Sequence, residues 1–263
     1  MTENAVLVER EGAVTIITLN NPERHNSLTP QIHEGLIAAF ESLRTDYECR
    51  AVVLNGAGKS FCSGMDLKSP IGDSDGPGAV QRRLERLRAS TNLILTMREI
   101  PQPIVVALQG HSVGAGFAFA SASDIRIAAP DAKFNAVFVR IGMTPGDLGL
   151  SWLLPRLIGQ TAAAELFYTG GVLDAERAEK LGFLNKIVDD PLAEAKAMAA
   201  EIASNAPFGV RMAKELLNAS IGGGFREHME IEMRSQVLGL MTQDHKDAVA
   251  AFPERRKPAF RDM

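Results

Sequence analysis

Short runs of β-branched residues alternate with amphipathic helical segments through the first half of the chain, and helical segments dominate the rest. Residues 5–20 predict a β-hairpin, because two β-branched runs flank a turn at Glu11 and Gly12. Buried strands are predicted within residues 49–58 and 102–110, where apolar runs end in glycine turns. This alternation predicts an α/β core followed by a helical C-terminal region. Further short strands are expected at 125–129 and 132–138. A helix is expected from Pro30, with an apolar face that runs from Ile32 to Leu43, and further helices at 79–98, 161–168, 175–181, 192–204, 208–219, 225–241 and 243–251.

The composition limits the classes of protein to which the chain can belong. Its 263 residues allow one large domain or two small ones, and a formal net charge of -4 lacks the basic excess of nucleic-acid-binding proteins. Cys49 and Cys62 are too few for a disulfide framework, no apolar stretch approaches the length of a membrane span, and the first ten residues do not resemble a signal peptide. We therefore expect a cytosolic (cytoplasmic) protein that binds neither nucleic acid nor membranes. No metal site is expected, because no metal-ligand spacing relates the cysteines to His25, His33, His228 and His245.

Two glycine-rich turns follow the predicted buried strands. The first, NGAGKS at residues 55–60, is not a phosphate-binding loop, because Val53 stands where that motif requires a glycine. The second, GHSVGAG at residues 110–116, lacks the spacing of a dinucleotide-binding motif. It does open a predicted helix, and the free N–H groups of a helix N-terminus suit an anion or a developing oxyanion. The second turn is therefore a candidate for stabilising negative charge.

The segments FCSGMDLK (61–68) and HSVGAGFAFASASDI (111–125), in this order, resemble the crotonase (enoyl-CoA hydratase/isomerase) superfamily. Further ordered matches are NPERHNSL, PIVVALQG, SDIRIAAPDAKF, LPRLIG, YTGGVLDAERAEKLGFLNKIV and AFPERRKPAF, so the resemblance covers nearly the whole chain. It implies a crotonase-type spiral of ββα turns with a helical C-terminal trimerisation region. The expected division is a core with the acyl-CoA site at 1–200 and a helical oligomerisation region at 201–263, in a homotrimer or a dimer of trimers.

The resemblance also implies an oxyanion hole. The backbone N–H groups of Met65, after Gly64, and of Ala115, between Gly114 and Gly116, would hold the thioester oxygen of an acyl-CoA as it becomes an enolate oxygen. Fixed dipoles aimed at developing charge need no reorganisation in the transition state. No cofactor is implied beyond the coenzyme A of the substrate, and an apolar acyl pocket is expected between residues 69–78, the helix at 79–98 and the C-terminal helices. The residues expected to bind substrate are Gly64, Asp66, Leu67, Lys68, Gly114, Gly116 and Arg24, with Phe252 and Arg255 reaching a neighbouring subunit's ligand.

The acids of a hydratase are missing from their expected positions. The resemblance predicts one glutamate in the helix after the second glycine turn and another after the KF of AKFNAVF, but these positions hold Ala118 and Phe138. The nearest remaining candidate is Asp147, in the segment IGMTPGDLGLSW, whose position resembles that of the aspartate of the dienoyl-CoA isomerases and of the 4-chlorobenzoyl-CoA dehalogenase branch. Aspartate is also a favoured helix N-cap residue. A lone ionisable group in an apolar segment nevertheless favours catalysis over capping alone.

Three functions are consistent with this sequence. The favoured one is an acyl-CoA enzyme that hydrates a 2-enoyl-CoA or shifts the double bond of an enoyl-CoA, with Asp147 as acid and base. The second is an acyl-CoA hydrolase or dehalogenase in which Asp147 is the nucleophile. The third is a non-catalytic acyl-CoA-binding scaffold, because function resides in the site rather than in the fold. His111 is a weaker candidate for holding a water molecule, whereas Asp66 and Asp124 are expected to be hydrogen-bond partners within the fold.

Overall fold

The structure is a computed structural model and describes residues 4–66 and 76–262. The strands are β1 (Val6–Glu11), β2 (Val14–Leu19), β3 (Ala51–Gly56), β4 (Ile104–Leu108), β5 (His111–Val113), β6 (Ile125–Ala128), β7 (Lys133–Asn135), β8 (Val172–Asp174) and β9 (Lys186–Ile187). The helices are α1 (Pro30–Leu43), α2 (Ala79–Glu99), α3 (Ala115–Ala122), α4 (Leu150–Ile158), α5 (Gln160–Thr169), α6 (Ala175–Lys180), α7 (Pro191–Ala203), α8 (Pro207–Ala219), α9 (Phe225–Met241) and α10 (Gln243–Ala251). Short 3₁₀ helices span Pro22–Arg24 and Val137–Ile141.

The strands form two sheets whose order places both glycine turns at one edge. The larger sheet has the order β1-β2-β3-β4-β6-β9, in which β1 pairs antiparallel with β2 and the other described pairings are parallel. The smaller sheet has the order β5-β7-β8. Because β3 and β4 are parallel neighbours, the turns that follow them leave the sheet from the same edge. Ligands of open parallel sheets bind beyond the carboxyl ends of the strands.

Apolar packing on both faces explains why β3 and β4 are almost continuously apolar. Helices α1, α2, α3 and α4 contribute to the larger core cluster, which includes a set of three aromatic rings from Phe117, Phe134 and Phe183 with centroids 5.0–5.6 Å apart. On the opposite face, the small side chains of α7 pack with apolar side chains of β3, β4 and β6. Strands that are buried on both faces need no polar alternation.

Most of the elements predicted from the sequence are confirmed. The six predicted C-terminal helices agree with α5 to α10 within one residue at each end. Thr29 caps α1, because its side chain accepts a hydrogen bond from Ile32 N–H, with Pro30 in the first turn. The strand predicted at 132–138 is wrong beyond Asn135, since the chain turns there into the 3₁₀ helix Val137–Ile141. Strands β5, β8 and β9 were not predicted, because two or three residues show no period and pair only through distant segments.

Replacing Gly116 with alanine is expected to destabilise the protein by roughly 1–3 kcal/mol. A Cβ at this position of α3 would lie 2.3 Å from the carbonyl oxygen of Cys62, and that oxygen is held by a hydrogen bond from Val113 N–H. Gly209 of α8 is the matched control, because a Cβ there meets no atom within 4 Å. Gly209→Ala should stabilise by about 0.5–1 kcal/mol through helix propensity. Urea unfolding of both variants tests the prediction, and a Gly116→Ala protein at least as stable as wild type would contradict it.

Candidate active site

The turn around Gly64 and the turn at residues 110–116 lie against each other. Gly64 has φ of 85°, and a Cβ there would lie 2.6 Å from the Val113 carbonyl oxygen and 3.6 Å from Ala115 N. Backbone hydrogen bonds hold the turns together, with Cys62 N–H donating to the His111 carbonyl (3.0 Å) and Val113 N–H donating to the Cys62 carbonyl (2.9 Å). Since only glycine combines this φ with so close a backbone approach, Gly64 fixes the spacing of the two turns.

The N–H groups of Met65 and Ala115 are available to a ligand. Ala115 is the first residue of α3, so its N–H has no intrahelical acceptor, and Gly114 before it has φ of 52°. The neighbouring groups are already paired, because Gly114 N–H donates to the Asn135 carbonyl (3.0 Å) and Leu28 N–H donates to the Gly64 carbonyl (2.7 Å). Among the described residues, no backbone acceptor is paired with the N–H of Met65 or Ala115. Two unused donors therefore border the same space.

A cavity of about 150 Å³ lies where these two residues meet the start of α1, the middle of α2 and the loop before α4. Its apolar walls come from Leu28, Pro30, Leu87 and Leu148. Its polar side chains are Thr29, His33, Glu34, Arg86, Ser90 and Asp147. A larger cavity of about 930 Å³ lies between α2, α4 and α8 but is not lined by Met65, Ala115 or Asp147. The smaller cavity is therefore the candidate active site, since it brings both backbone donors and the predicted acid together.

Asp147 is presented to this cavity by a strained turn. Leu148, which follows it, has φ of 48°, in the left-handed region that is unfavourable for leucine. Gly149 is the N-cap of α4, and no side chain caps that helix, so the capping alternative for Asp147 is not what the structure shows. Burial raises the pKa of the Asp147 carboxyl, and a hydrogen bond from the Leu148 backbone opposes that effect. Asp147 therefore lines the cavity without capping α4.

His33 and Ser90 are cavity residues that the sequence reasoning did not identify as functional. His33 lies in the second turn of α1, and its Nε2 is 3.0 Å from the hydroxyl of Ser90 on α2. Burial lowers the pKa of His33, Arg86 lowers it further, and Glu34 opposes both. A weak signal was present in the sequence, because His33 lies beside the apolar stripe that begins at Ile32. That stripe faces the core, so a neighbouring histidine lies at the edge of a buried surface.

Several predicted substrate-binding residues do not line the cavity in the single chain. Arg24 and Asp66 form an ion pair, with Nη2 and Oδ2 2.6 Å apart and the Asp66 side chain buried. Phe252 and Arg255 are exposed at the C-terminal end, apart from the cavity. Leu67 and Lys68 lie outside the described residues. Their roles in substrate binding stay predictions.

The positions where a hydratase carboxylate was expected are buried and apolar. Ala118 lies in the core on α3, and the Phe138 ring packs beside Gly114, 3.6 Å from where a Cβ on that glycine would be. His111 is exposed on β5 and does not line the cavity, so the structure gives no support to a role in holding a catalytic water. Asp124 accepts hydrogen bonds from Arg98 (3.1 Å) and from a backbone N–H, as expected for a structural aspartate.

Within residues 4–66 and 76–262, no group of three or more His, Cys, Asp or Glu side chains could hold a metal ion. None of the helices in these two ranges is both long and apolar enough to cross a membrane.

Comparisons with known proteins match the chain along its whole length. Residues 9–263 match the family model described as enoyl-CoA hydratase/isomerase. A protein named probable enoyl-CoA hydratase from Mycobacterium bovis is 37% identical over 99% of this chain and 94% of its own length. The 1,2-epoxyphenylacetyl-CoA isomerase of Escherichia coli (strain K12) is 34% identical over 97% of each chain. Among solved structures, an enoyl-CoA hydratase from Bacillus anthracis superposes with a TM-score of 0.91 at 31% identity, over 98% of this chain and all of the other. The fold is thus shared with the Bacillus anthracis structure, and the sequence similarity to the other two proteins extends over nearly the whole chain.

Proposed function

The chain belongs to the enoyl-CoA hydratase/isomerase family, and we propose that it is an enzyme that moves protons on an enoyl-CoA thioester, with double-bond isomerisation as its primary reaction. The crotonase fold and family predicted from the glycine turns are confirmed. The observation that carries the proposed reaction is the convergence of three groups on one cavity, namely the N–H groups of Met65 and Ala115 and the carboxylate of Asp147.

The two backbone donors make the proton next to the thioester removable. When the thioester oxygen sits between Met65 N–H and Ala115 N–H, these dipoles stabilise the negative charge that forms on it as the Cα proton leaves. They act mainly in the transition state, where that charge develops, and so they raise kcat rather than only tightening substrate binding. This is the chemistry that every reaction through a thioester enolate requires.

Asp147 transfers the proton. Its carboxylate removes a proton from C2 of a 3-enoyl-CoA, and the electron pair of the broken C–H bond moves toward the thioester oxygen, which gives a dienolate with C1–C2 and C3–C4 double bonds. The same carboxyl then returns the proton to C4 as the thioester carbonyl reforms, and the double bond comes to lie between C2 and C3. The product is the conjugated 2-enoyl-CoA, and the enzyme returns to its starting state. One carboxyl is enough for this sequence, and the two positions where a hydratase carboxylate was expected hold the buried Ala118 and Phe138.

The larger cavity between α2 and α8 is the proposed site of the acyl chain. It begins at Gly149, two residues after Asp147, and Ile94 and Leu153 approach that glycine, with side-chain atoms 3.7 Å from where its Cβ would be. Leu95 and Trp152 add apolar surface to it. Coenzyme A belongs to the substrate in this proposal, no other cofactor takes part, and a cytosolic homotrimer or dimer of trimers is the proposed assembly.

Turnover of 3-enoyl-CoA and 2-enoyl-CoA substrates of several chain lengths tests the function. Isomerisation creates the absorbance of the conjugated thioester, and hydration removes it, so one spectrophotometric assay separates the two reactions. Formation of 2-enoyl-CoA from 3-enoyl-CoA supports the proposal. A covalent adduct of the substrate on Asp147, detected by mass spectrometry, or tight acyl-CoA binding without any turnover would overturn it.

The pH dependence of isomerisation should report the ionisation of Asp147. The carboxylate must be ionised to remove the first proton, so kcat/KM falls as the pH drops through the pKa of Asp147. Because burial raises that pKa, the decrease should begin at higher pH than the ordinary value for aspartate, about 3.9, would give. Initial rates from acidic to neutral pH, with circular dichroism to confirm folding, measure this limb. A limb at or below the ordinary aspartate range would count against Asp147 as the base.

A further inference from the structure

His33 is a further titratable side chain of the cavity that Asp147 borders, and it comes from a different part of the fold. His33 projects from α1, and Asp147 lies in the loop before α4. Both side chains line this one cavity of about 150 Å³. Isomerisation, as derived above, uses only one of them. The second group therefore has a place in a reaction that needs two.

We infer that His33 is the base that activates water for addition to C3 of a 2-enoyl-CoA, while Asp147 protonates C2, so that the enzyme is a hydratase as well as an isomerase. This inference rests on the proposed function, because it uses the same oxyanion hole and the same carboxyl. It assigns catalysis to a residue pair, His33 and Asp147, in place of two carboxylates.

The protons and electron pairs of this reaction balance. The oxygen of water forms a bond to C3 as its O–H bond breaks, and that proton goes to the imidazole of His33. The C2–C3 π electrons move toward the thioester, whose oxygen carries the charge in the hole formed by Met65 and Ala115. The Asp147 carboxyl then gives its proton to C2 as the carbonyl reforms. Transfer of a proton from the imidazolium to the carboxylate through solvent restores both groups, and one water has been added.

Ser90 fixes the imidazole in a form that can accept a proton. Its hydroxyl lies 3.0 Å from His33 Nε2 and 3.3 Å from the backbone carbonyl oxygen of Arg86. A hydroxyl has one proton, and the Arg86 carbonyl can only accept it, so the hydroxyl accepts a hydrogen bond from Nε2–H. In this tautomer, Nδ1 carries the lone pair. Ser90 is thus a positioning residue that acts through His33.

Burial favours the neutral form of His33. Burial lowers the pKa of His33, Arg86 of α2 acts in the same direction, and Glu34 of α1 opposes them only in part. Across the cavity, the pKa of Asp147 is raised by burial. A lowered pKa keeps His33 neutral and able to accept a proton, whereas a raised pKa suits Asp147 to donate one.

The experiment compares hydration of 2-enoyl-CoA with isomerisation of 3-enoyl-CoA in wild type and His33→Gln. We expect kcat for hydration to fall by about 10²–10⁴-fold, much further than kcat for isomerisation, which does not use His33 as a base. The acid limb of hydration, where protonation removes the base, should disappear in the variant. Ser90→Ala should lower hydration less than His33→Gln, and Ser90→Thr, which keeps the hydroxyl, should restore it. His111→Gln is the matched histidine control, because His111 does not line the cavity.

Each outcome separates this inference from the function on which it rests. A wild type that catalyses neither reaction overturns the proposed function and the inference with it. A wild type that isomerises but does not hydrate overturns only the inference. So does equal loss of both reactions in His33→Gln, which indicates a structural role. Loss of hydration in Glu34→Gln with full retention in His33→Gln would assign the base to Glu34 instead.

Discussion

Replacing Asp147 with asparagine is expected to lower kcat for isomerisation of 3-enoyl-CoA by about 10²–10⁴-fold, the usual contribution of a general acid–base group. Asparagine keeps the size of the side chain and can still accept the hydrogen bond from Leu148, but it cannot take a proton from C2. KM should change little, because the thioester oxygen is held by main-chain donors that the substitution leaves in place. Steady-state kinetics with the conjugated thioester absorbance measure both constants.

The stability of the same variant distinguishes catalysis from structure. The pKa of Asp147 is raised in the folded protein, so the folded state disfavours the ionised form, and at neutral pH the carboxylate lowers stability. Asp147→Asn should therefore keep or increase the Tm while activity collapses, as expected of a site that sacrifices stability for function. Asp189→Asn, at an exposed position before α7, is the control and should alter neither. A lower Tm in parallel with lower activity would instead indicate a structural aspartate.

The local sequence pattern was sufficient to predict the elements in which apolar residues recur with a regular period. The helices α5 to α10 and the cap of α1 follow from apolar spacing, Thr29 and prolines, which act over a few residues. Strands β5, β8 and β9 could not be predicted this way, because they form only when segments far apart in the chain meet. The turn of the chain after Asn135 also depends on a distant segment, because the Asn135 carbonyl accepts a hydrogen bond from Gly114 N–H.

The residues of the candidate site show the same difference between what local sequence predicts and what depends on distant contacts. Met65 and Ala115 were placed by the resemblance of two glycine motifs, and Asp147 by the resemblance of its position together with its isolation in an apolar segment; the structure brings all three to one cavity. The pairing of His33 with Ser90 joins positions 57 residues apart, and nothing local in either segment connects them. The structural use of Asp66 by Arg24 likewise depends on a contact between distant segments. The sequence alone did not predict which side chains from distant segments contact each other.

Replacing Ala115 with proline is expected to lower kcat by about 10²–10³-fold, the usual cost of losing one oxyanion donor, while the fold survives. Ala115 is the first residue of α3, and proline is tolerated there because the N–H of that residue has no helical acceptor. The chain already begins α1, α7 and α8 with proline. The substitution therefore removes one donor from the oxyanion hole and little else that the helix uses.

Ala115→Gly is the companion variant, because it keeps the N–H and removes only the methyl group, and it should retain most of the wild-type kcat. The polarisation of a bound conjugated enoyl-CoA gives a readout that does not depend on turnover. The absorbance of the thioester should shift to longer wavelength in wild type and Ala115→Gly, and the shift should shrink in Ala115→Pro, because the carbonyl loses one donor. If Ala115→Pro folds, polarises the thioester and turns over like wild type, the oxyanion donor is not Ala115. Asp147 would then act on an enolate held by other groups, and Met65 would be the one oxyanion donor of this proposal that still stands.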